Sequence, residues 1–264
     1  MNLGHMDRYA KSLMKEAGHK IRISFFKQID IDSKADANDL VTNIDREVEQ
    51  FFISRIQRDF PEHKILGEEG FGDDIQTLDG VIWMLDPIDG TMNFVHQKRN
   101  FAISLGIYVD GVGMLGYIYD VMREDFYSAA KGEGAYLNDE RLPQLEITPL
   151  EQAVIGISAS WIAPNRFVDN EKMIELVQRC RGTRSYGSAA IELAYVAAGR
   201  IDAYISMRLS PWDIAGGMVI AQEVGAVTTN MKGQAPHLLG QEPFIVARPG
   251  LHHDILTNYI RLKE

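Results

Sequence analysis

The sequence contains almost no cysteine, no long apolar segment and no excess of basic residues. Cys180 is the only cysteine among 264 residues, so no disulfide can form within the chain and a cytoplasmic location is predicted. No apolar run approaches the roughly 20 residues of a membrane span, and no signal peptide precedes the first helix. The chain has 37 acidic and 27 basic residues, a net charge of −10. This balance argues against nucleic-acid binding and gives no sign of membrane association.

The composition is that of an ordinary globular protein, with 45% hydrophobic and 24% charged residues. A chain of this length can bury a sizeable core as one large domain or two modest ones. We find no Gly/Ser or Pro linker, no repeat and no low-complexity segment, so we expect tightly fused halves. The acidic balance does not exclude a phosphate substrate, because bound divalent cations would reverse the local field.

The apolar pattern changes character near residue 147. Before it, two helices lead into strands, and Asp110-Gly111 marks a hairpin; after it, strands and helices alternate. In the first half we predict helices over 6–28 and 44–60 and strands over 64–66, 81–85, 101–109, 113–121 and 125–130. In the second half we predict strands over 153–158, 183–186, 202–207, 226–229 and 244–247 and helices over 171–179, 189–198, 214–224 and 254–262. An α+β half followed by an α/β half predicts two sheets sandwiched among helices.

The most informative stretch runs from Trp83 to Phe94 and contains Asp-Pro-Ile-Asp-Gly-Thr. A short apolar strand ends at Asp86, and Asp89 follows three residues later, so the two carboxylates can turn toward one point. Pro87 stiffens this turn, Gly90 lets the backbone approach a ligand, and Thr91 offers an amide and a hydroxyl. Together these features predict hard cations that hold a phosphate. For this motif alone, an Asp-rich turn without a ligand remains the alternative.

Two further segments favour the ligand site over a ligand-free turn. Ile65-Leu66-Gly67-Glu68-Glu69-Gly70 lies upstream, and Pro211-Trp212-Asp213-Ile214-Ala215-Gly216-Gly217 lies downstream. In this order, the three segments resemble the inositol monophosphatase family of magnesium-dependent sugar phosphatases, over nearly the whole chain. The resemblance implies a layered αβαβα sandwich, a homodimer and inhibition by lithium. It also implies two to three Mg²⁺ ions per active site, with Mn²⁺ as a substitute, and oxygen-only ligands favour both ions over zinc.

The resemblance also assigns the metal ligands. Glu68, Asp86 and the backbone carbonyl of Ile88 would hold the first ion. Asp86 would bridge to a second ion, which Asp89 and Asp213 also hold, and Glu68 would hold a weaker third ion with waters. Without the resemblance, Asp213 would be interpreted as a helix cap. On this basis residues 1–146 carry Glu68 and the 86–91 motif, and residues 147–264 supply Asp213 and the sugar pocket.

The remaining site residues follow from the same resemblance. Glu68 and the Thr91–Asp45 pair would orient and deprotonate the attacking water, although the sequence alone predicts Asp45 to be a solvated helix residue. Lys34 matches a loop lysine near the metals, whereas a lone loop lysine is ordinarily solvent-facing. Glu69 has no ligand role, and we expect His252 and His253 at the surface. The predicted substrate-binding residues are Asp89, Gly90, Thr91, Gly187, Ser188, Ala189, Ser206 and Arg208.

The substrate is less sharply predicted than the chemistry. Many inositol-specific members carry a glutamate at the position of Ser206, and that glutamate binds ring hydroxyls. Arg208, two residues on, would share a face with Ser206 in a strand and could meet a second phosphate; an exposed edge arginine is the alternative. The expected function is hydrolysis of inositol monophosphate and related small sugar phosphates by metal-activated water. The alternatives are the 2′-phosphate of NADP or fructose bisphosphate as substrate, and a non-catalytic interaction protein on the same fold.

Overall fold

The computed structural model describes residues 2–33 and 40–263. Two helices and a pair of short antiparallel strands open the chain, before a series of strands that forms the larger sheet. These elements are α1 (Leu3–Ser24), β1 (Ile31–Ser33), β2 (Leu40–Thr42), α2 (Asn43–Asp59), β3 (Lys64–Gly67), β4 (Val81–Asp89), α3 (Thr91–Gln97), β5 (Ala102–Val109), β6 (Val112–Asp120), β7 (Asp125–Ala130), β8 (Gly134–Leu137) and β9 (Glu140–Arg141). Predicted Lys34 lies outside the described residues.

The second part of the chain alternates strands and helices as predicted. A short 3₁₀ turn at Leu150–Gln152 precedes it. The elements are β10 (Val154–Ile157), α4 (Ala159–Ile162), α5 (Asn170–Arg179), β11 (Gly182–Arg184), α6 (Ala189–Ala197), β12 (Ala203–Leu209), α7 (Pro211–Glu223), β13 (Val227–Asn230), β14 (Glu242–Ala247) and α8 (Leu251–Asn258). Within the described ranges, no helix is both long and apolar enough to cross a bilayer.

Two sheets organise these elements. The larger has the order β3-β4-β5-β6-β7-β8-β9, and only the β3–β4 pair is parallel. The smaller has the order β11-β10-β12-β14-β13, in which β10 runs parallel to both of its neighbours. The predicted hairpin joins β5 to β6, with positive φ angles of 48° at Asp110 and 77° at Gly111.

Helices cover both faces of each sheet, which gives five layers. One apolar core lies between α1, α2 and the larger sheet, where Phe52 and Trp83 are fully buried. A second lies between the two sheets around α6 and α7. A third lies between the smaller sheet and the outer helices α5 and α8. The predicted αβαβα sandwich is therefore confirmed.

The inner layer is packed so closely that glycine is required where α7 meets the larger sheet. A Cβ atom on Gly116 of β6 would lie 2.3 Å from the backbone oxygen of Gly216 in α7. A Cβ atom on Gly106 of β5 would lie 2.8 Å from Ala215. These contacts fix the distance of α7 from the sheet, and with it the depth of the site residue that α7 carries.

Several predicted boundaries were wrong, for identifiable reasons. The first helix was predicted over 6–28, but the Asn2 side chain caps it by accepting the His5 amide at 3.0 Å, and tight turns end it after Ser24. The closing helix was predicted over 254–262. It instead begins after Gly250, which has a φ of 80°, and ends at Asn258. Beyond this end, Leu262 pairs with Val168 in an isolated bridge and is not helical.

His252 was also predicted wrongly. We expected it at the surface, but it is 7% exposed, and its Nε2 lies 2.8 Å from the Thr229 hydroxyl. Its neighbour His253 is exposed, because adjacent residues point to different sides of a helix. The earlier start of α8 places His252 on the inner side of that helix, and burial lowers its pKa.

Candidate metal centre

Three carboxylates from two distant parts of the chain converge beside the larger sheet. Asp86 and Asp89 come from β4, and Asp213 comes from the first turn of α7. One oxygen of each lies within 4.8 Å of the others. Asp86 is 2% exposed and Asp89 is 7% exposed, whereas Asp213 is half-buried. The group has the composition and spacing of a metal site.

A break in the β4 register brings the first two carboxylates together. Residues three apart on a regular strand point to opposite faces, so an undistorted β4 would separate Asp86 from Asp89. The pairing of β4 with β5 shifts between these residues, and the Ile88 amide donates to Asp86 Oδ1 at 2.9 Å. Pro87 lies inside this irregular turn, where its missing N–H is tolerated. The strand thus extends to Asp89, past the predicted end at residue 85.

Asp213 serves its helix as well as the carboxylate group. It is the third residue of α7, and its Oδ2 accepts the backbone amide of Ser210 at 2.8 Å. Sequence analysis treated helix cap and metal ligand as alternative roles for Asp213. A carboxylate has two oxygens and several lone pairs, so it can accept a backbone amide and still bind a metal. Capping fixes the side chain in the direction of Asp86 and Asp89, so the two roles are compatible.

The electrostatics of the group favour a bound cation. Burial raises the pKa of Asp86 well above its usual range, and the charges of Glu68, Asp89 and Asp213 raise it further. Burial also raises the pKa of Asp89 to about 6, although hydrogen bonds from Ser188 and Ala190 oppose this. Buried carboxylates that repel one another are costly at neutral pH, and a divalent cation removes that cost. The all-oxygen donor set fits Mg²⁺.

The predicted Thr91–Asp45 pair is formed. The Thr91 hydroxyl lies 3.2 Å from Asp45 Oδ1 and 3.1 Å from the Ile88 carbonyl. Asp45 is fully buried in the first turn of α2, where the Thr42 amide donates to it at 2.9 Å. The expectation of a solvated helix residue, drawn from sequence alone, was therefore wrong. Burial raises the pKa of Asp45 to about 6, despite the hydrogen bonds from Thr42.

The turn around Gly90 meets the predicted sugar-pocket segment. Gly90 has a φ of 95°, and a Cβ atom there would lie 3.1 Å from the Gly187 backbone oxygen. The Ser188 hydroxyl and the Ala190 amide both donate to Asp89, the latter at 2.8 Å. Asn93 holds the segment by donating to the Tyr186 carbonyl at 2.7 Å. The two halves of the chain thus meet at the carboxylates.

A cavity of about 250 Å³ opens beside these carboxylates. Its lining contains five predicted residues, namely Asp89, Gly187, Ser188, Ala189 and Asp213, and six that sequence analysis missed: Ser158, Trp161, Ser185, Glu192, Tyr204 and Leu209.

Glu192 is the missed residue that the sequence could have revealed, because it is a lone carboxylate in an otherwise apolar helix. Its Oε1 accepts the Tyr186 amide at 2.7 Å, and burial raises its pKa to about 7.

Ser206 and Arg208 do not present one face. Both lie in β12, but Ser206 is buried and Arg208 is exposed, because the pairing with β14 shifts between Ser206 and Leu209. Neither is among the described residues that line the cavity. Glu69 lies outside the carboxylate group, and its backbone amide donates to Glu49 Oε2 at 2.7 Å.

Similarity to known proteins agrees with this architecture. The chain matches the model of the inositol monophosphatase family over residues 2–263. An inositol-1-monophosphatase of Bacillus subtilis is 51% identical over 263 residues, which cover 100% of this chain and 99% of that protein. A fructose-1,6-bisphosphatase/inositol-1-monophosphatase of Thermotoga maritima is 35% identical over 258 residues, with 97% and 96% coverage.

Solved structures extend the similarity to three dimensions. SaIMPase-II bound to inositol monophosphate has a TM-score of 0.88 and 40% identity, and the match covers 97% of this chain and 93% of that one. The same enzyme bound to 2′AMP has a TM-score of 0.89 and 42% identity, with 97% and 94% coverage. The fold and these matches define a phosphoric monoester hydrolase. The chain belongs to the inositol monophosphatase family.

Proposed function

We propose that this protein is a Mg²⁺-dependent phosphomonoesterase that hydrolyses inositol monophosphate and related sugar phosphates, with Mn²⁺ as a substitute metal. The observation that carries the proposal is the approach of Asp86, Asp89 and Asp213 to within 4.8 Å at the edge of a cavity. That cavity is large enough for the reacting end of a small phosphorylated ligand.

The metal ligands proposed for this centre are those that the family resemblance assigned. Glu68, Asp86 and the Ile88 carbonyl would hold one ion, Asp86, Asp89 and Asp213 a second, and Glu68 a weaker third. Glu68 is not one of the three carboxylates that approach to within 4.8 Å, but its charge contributes to the raised pKa of both Asp86 and Asp89, which supports a shared ion. When bound, the cations supply charge neutralisation for the phosphate and acidify a water.

The chain's own residues would orient the reactants. The Thr91 hydroxyl donates to Asp45, which leaves the lone pairs of its oxygen free to accept a hydrogen bond from the attacking water. With a pKa of about 6, Asp45 is suited to receive a proton near neutral pH, and Glu68 is the second proposed acceptor. The Gly90 and Thr91 amides, beside Asp89 at the start of α3, would hold phosphate oxygens.

A second candidate is activity on substrates with a further phosphate or a nucleoside, namely fructose bisphosphate or the 2′-phosphate of NADP. Trp161 lines the cavity and offers an aromatic face, while Gly187, Ser188 and Ala189 line the predicted sugar end. Ser206 lacks the charge to hold ring hydroxyls as a glutamate would. Because Arg208 is exposed and does not line the cavity, its proposed contact with a second phosphate requires a substrate that extends beyond the cavity. The names of similar proteins include an inositol-1-monophosphatase, a fructose-1,6-bisphosphatase and an NADP phosphatase.

One substrate panel tests both candidates. Purified protein, dialysed against EDTA, is assayed on inositol 1-phosphate, fructose bisphosphate and NADP, with and without added Mg²⁺ or Mn²⁺. We expect hydrolysis only with metal, and the Ser206→Glu variant should shift kcat/KM toward inositol 1-phosphate. Full activity without metal would exclude the metal mechanism. A preference of wild type for inositol 1-phosphate above about a hundredfold, roughly 2.7 kcal/mol, would exclude the interpretation of Ser206.

We also propose a cytoplasmic homodimer that lithium inhibits. The family resemblance supports the dimer and the inhibition, and the single cysteine suits a reducing compartment. Light scattering of the purified protein, and assays with added LiCl, test the first two statements directly.

A further inference from the structure

Helix α2 contributes two fully buried carboxylates, Asp45 and Glu49. They are four residues apart and therefore lie on one face of the helix, one turn from each other. Asp45 contacts Thr91, as described above, but Glu49 has no part in the proposed reaction. A carboxylate without access to water is costly to bury, so its contacts should reveal what it does.

Both oxygens of Glu49 bind the turn that follows β3. Oε2 accepts the Glu69 amide at 2.7 Å, and Oε1 accepts the Phe71 amide at 2.9 Å. These two amides flank Gly70, whose φ of 76° reverses the chain. Charged acceptors form stronger hydrogen bonds with backbone amides than neutral ones do, and a carboxylate can accept two amides without rearrangement. Glu49 therefore fixes the path of the backbone immediately after Glu68.

The backbone around Glu68 is held from its other side as well. The Glu68 amide donates to the Leu85 carbonyl at 3.2 Å, next to Asp86 in β4. A Cβ atom on Gly67 would lie 2.5 Å from the Glu49 carboxyl carbon, so this glycine makes room for the carboxylate. The turn is thus fixed between β4 and α2, and Glu68 lies between the two attachments.

We propose that Glu49 is a positioning residue for the metal centre, which acts by holding the Glu68–Phe71 turn so that the Glu68 carboxylate faces Asp86. This inference rests on the proposed metal-dependent function. A purely structural role would lower the stability of the fold and leave the metal affinity of the folded protein unchanged. A positioning role lowers the metal affinity of protein that is still folded.

The test compares Glu49→Gln with a control, Glu47→Gln, on the same helix. Glutamine has the shape of glutamate, but it keeps one acceptor and turns an NH₂ group toward a backbone N–H. Glu47 is exposed, and it accepts from Asn43 at 3.1 Å, away from the turn. Mg²⁺ and Mn²⁺ binding to the metal-free proteins is measured by calorimetry, and activity is measured against Mg²⁺ concentration.

For Glu49→Gln we expect a metal affinity about 10- to 100-fold below wild type, as for other groups that orient metal ligands. The Mg²⁺ concentration for half-maximal activity should rise in parallel, while the substrate KM at saturating Mg²⁺ stays within about twofold of the wild-type value. Glu47→Gln should match wild type in every measurement. If Glu49→Gln does not fold, Glu49→Asp replaces it, because it keeps the charge but cannot reach both amides, and its expected change has the same direction.

The outcomes separate this inference from the proposed function. If wild type hydrolyses phosphomonoesters with Mg²⁺ and the folded Glu49 variant binds metal as tightly as Glu47→Gln, the inference is overturned and the function stands. If wild type hydrolyses none of the tested substrates, the proposed function fails. Calorimetry still decides whether Glu49 sets the metal affinity.

Discussion

At the scale of single residues, Asp86 combines burial with repulsion from neighbouring carboxylates. It is buried, and Glu68, Asp89 and Asp213 all raise its pKa. Such a group stabilises a bound cation and destabilises the metal-free protein, because its ionised form meets neighbouring charges in place of water. Substitution of this residue therefore separates function from stability.

Asp86→Asn should abolish turnover, because it removes a negative charge shared by the proposed metal sites while it keeps the side-chain shape. The same change should raise the melting temperature of the metal-free protein, because it relieves carboxylate repulsion. Steady-state rates at saturating Mg²⁺ and thermal melts in EDTA check the two statements. A variant that keeps more than about a tenth of the wild-type rate would contradict this role for Asp86.

Thr91→Ala should be milder than Asp86→Asn. It removes the hydroxyl that donates to Asp45, so we expect kcat to fall by about 10- to 1,000-fold with little change in metal affinity. Thr91→Ser keeps the hydroxyl and is the matched control, with activity near that of wild type. Equal rates for the alanine and serine variants would show that this hydroxyl has no part in the reaction.

At the scale of elements, the distance between α7 and the larger sheet determines where Asp213 lies. Gly116 and Gly216 allow backbone-to-backbone approach, and the first turn of α7 then reaches the carboxylates of β4. A substitution far from the cavity should thus alter the site through this helix, without removing any functional group.

Gly116→Ala should destabilise the protein by about 1–3 kcal/mol, since its methyl group would overlap the Gly216 carbonyl. It should also weaken Mg²⁺ binding, because α7 must move to relieve the overlap. Urea unfolding and calorimetric titration measure these effects. Gly182→Ala is the control, as a Cβ atom there lies 3.7 Å from its nearest neighbour. If Gly116→Ala unfolds at the same urea concentration as this control, the close approach is not a constraint.

The helices and strands also show which parts of the structure could be predicted from the sequence. Periodicity and turn residues predicted the longer strands and helices but not the short elements β1, β2, β8, β9 and α4. Family motifs predicted that Asp86, Asp89 and Asp213 would converge. The bulge between Asp86 and Asp89 could not be predicted from the sequence, because a register shift depends on how β4 pairs with its partner strand β5. The burial of Asp45 and Glu49 could not be predicted either, since charged residues on an amphipathic helix ordinarily face water. Their partners, Thr91 and the turn after Glu68, are distant in sequence.

At the scale of the whole molecule, several buried acids have raised pKa values. Burial raises the pKa of Asp45 and of Asp89 to about 6. A carboxyl group whose pKa is higher in the folded than in the unfolded chain binds more protons when folded. Its stabilising contribution is complete below its unfolded pKa, about 3.9 for aspartate, and is lost as the pH rises through about 6.

The metal-free protein should therefore become more stable as the pH falls from about 7.5 to about 5.5. Melting temperatures measured in EDTA across this range check the trend, and Asp86→Asn should flatten it. Saturating Mg²⁺ should reverse the order of stability, because the bound cation favours the ionised carboxylates. A metal-free wild-type protein that melts at the same temperature throughout this range would contradict the raised pKa values.

The layered arrangement also has a consequence for synthesis on the ribosome. Strand β4 is made early, but its inner face is covered by α7, and α7 also brings Asp213 to Asp86 and Asp89. A nascent chain that ends before Pro211 therefore has an uncovered apolar sheet and an incomplete set of carboxylates. The proposed metal centre can form only after most of the chain has been translated, so metal would bind late in the maturation of this enzyme.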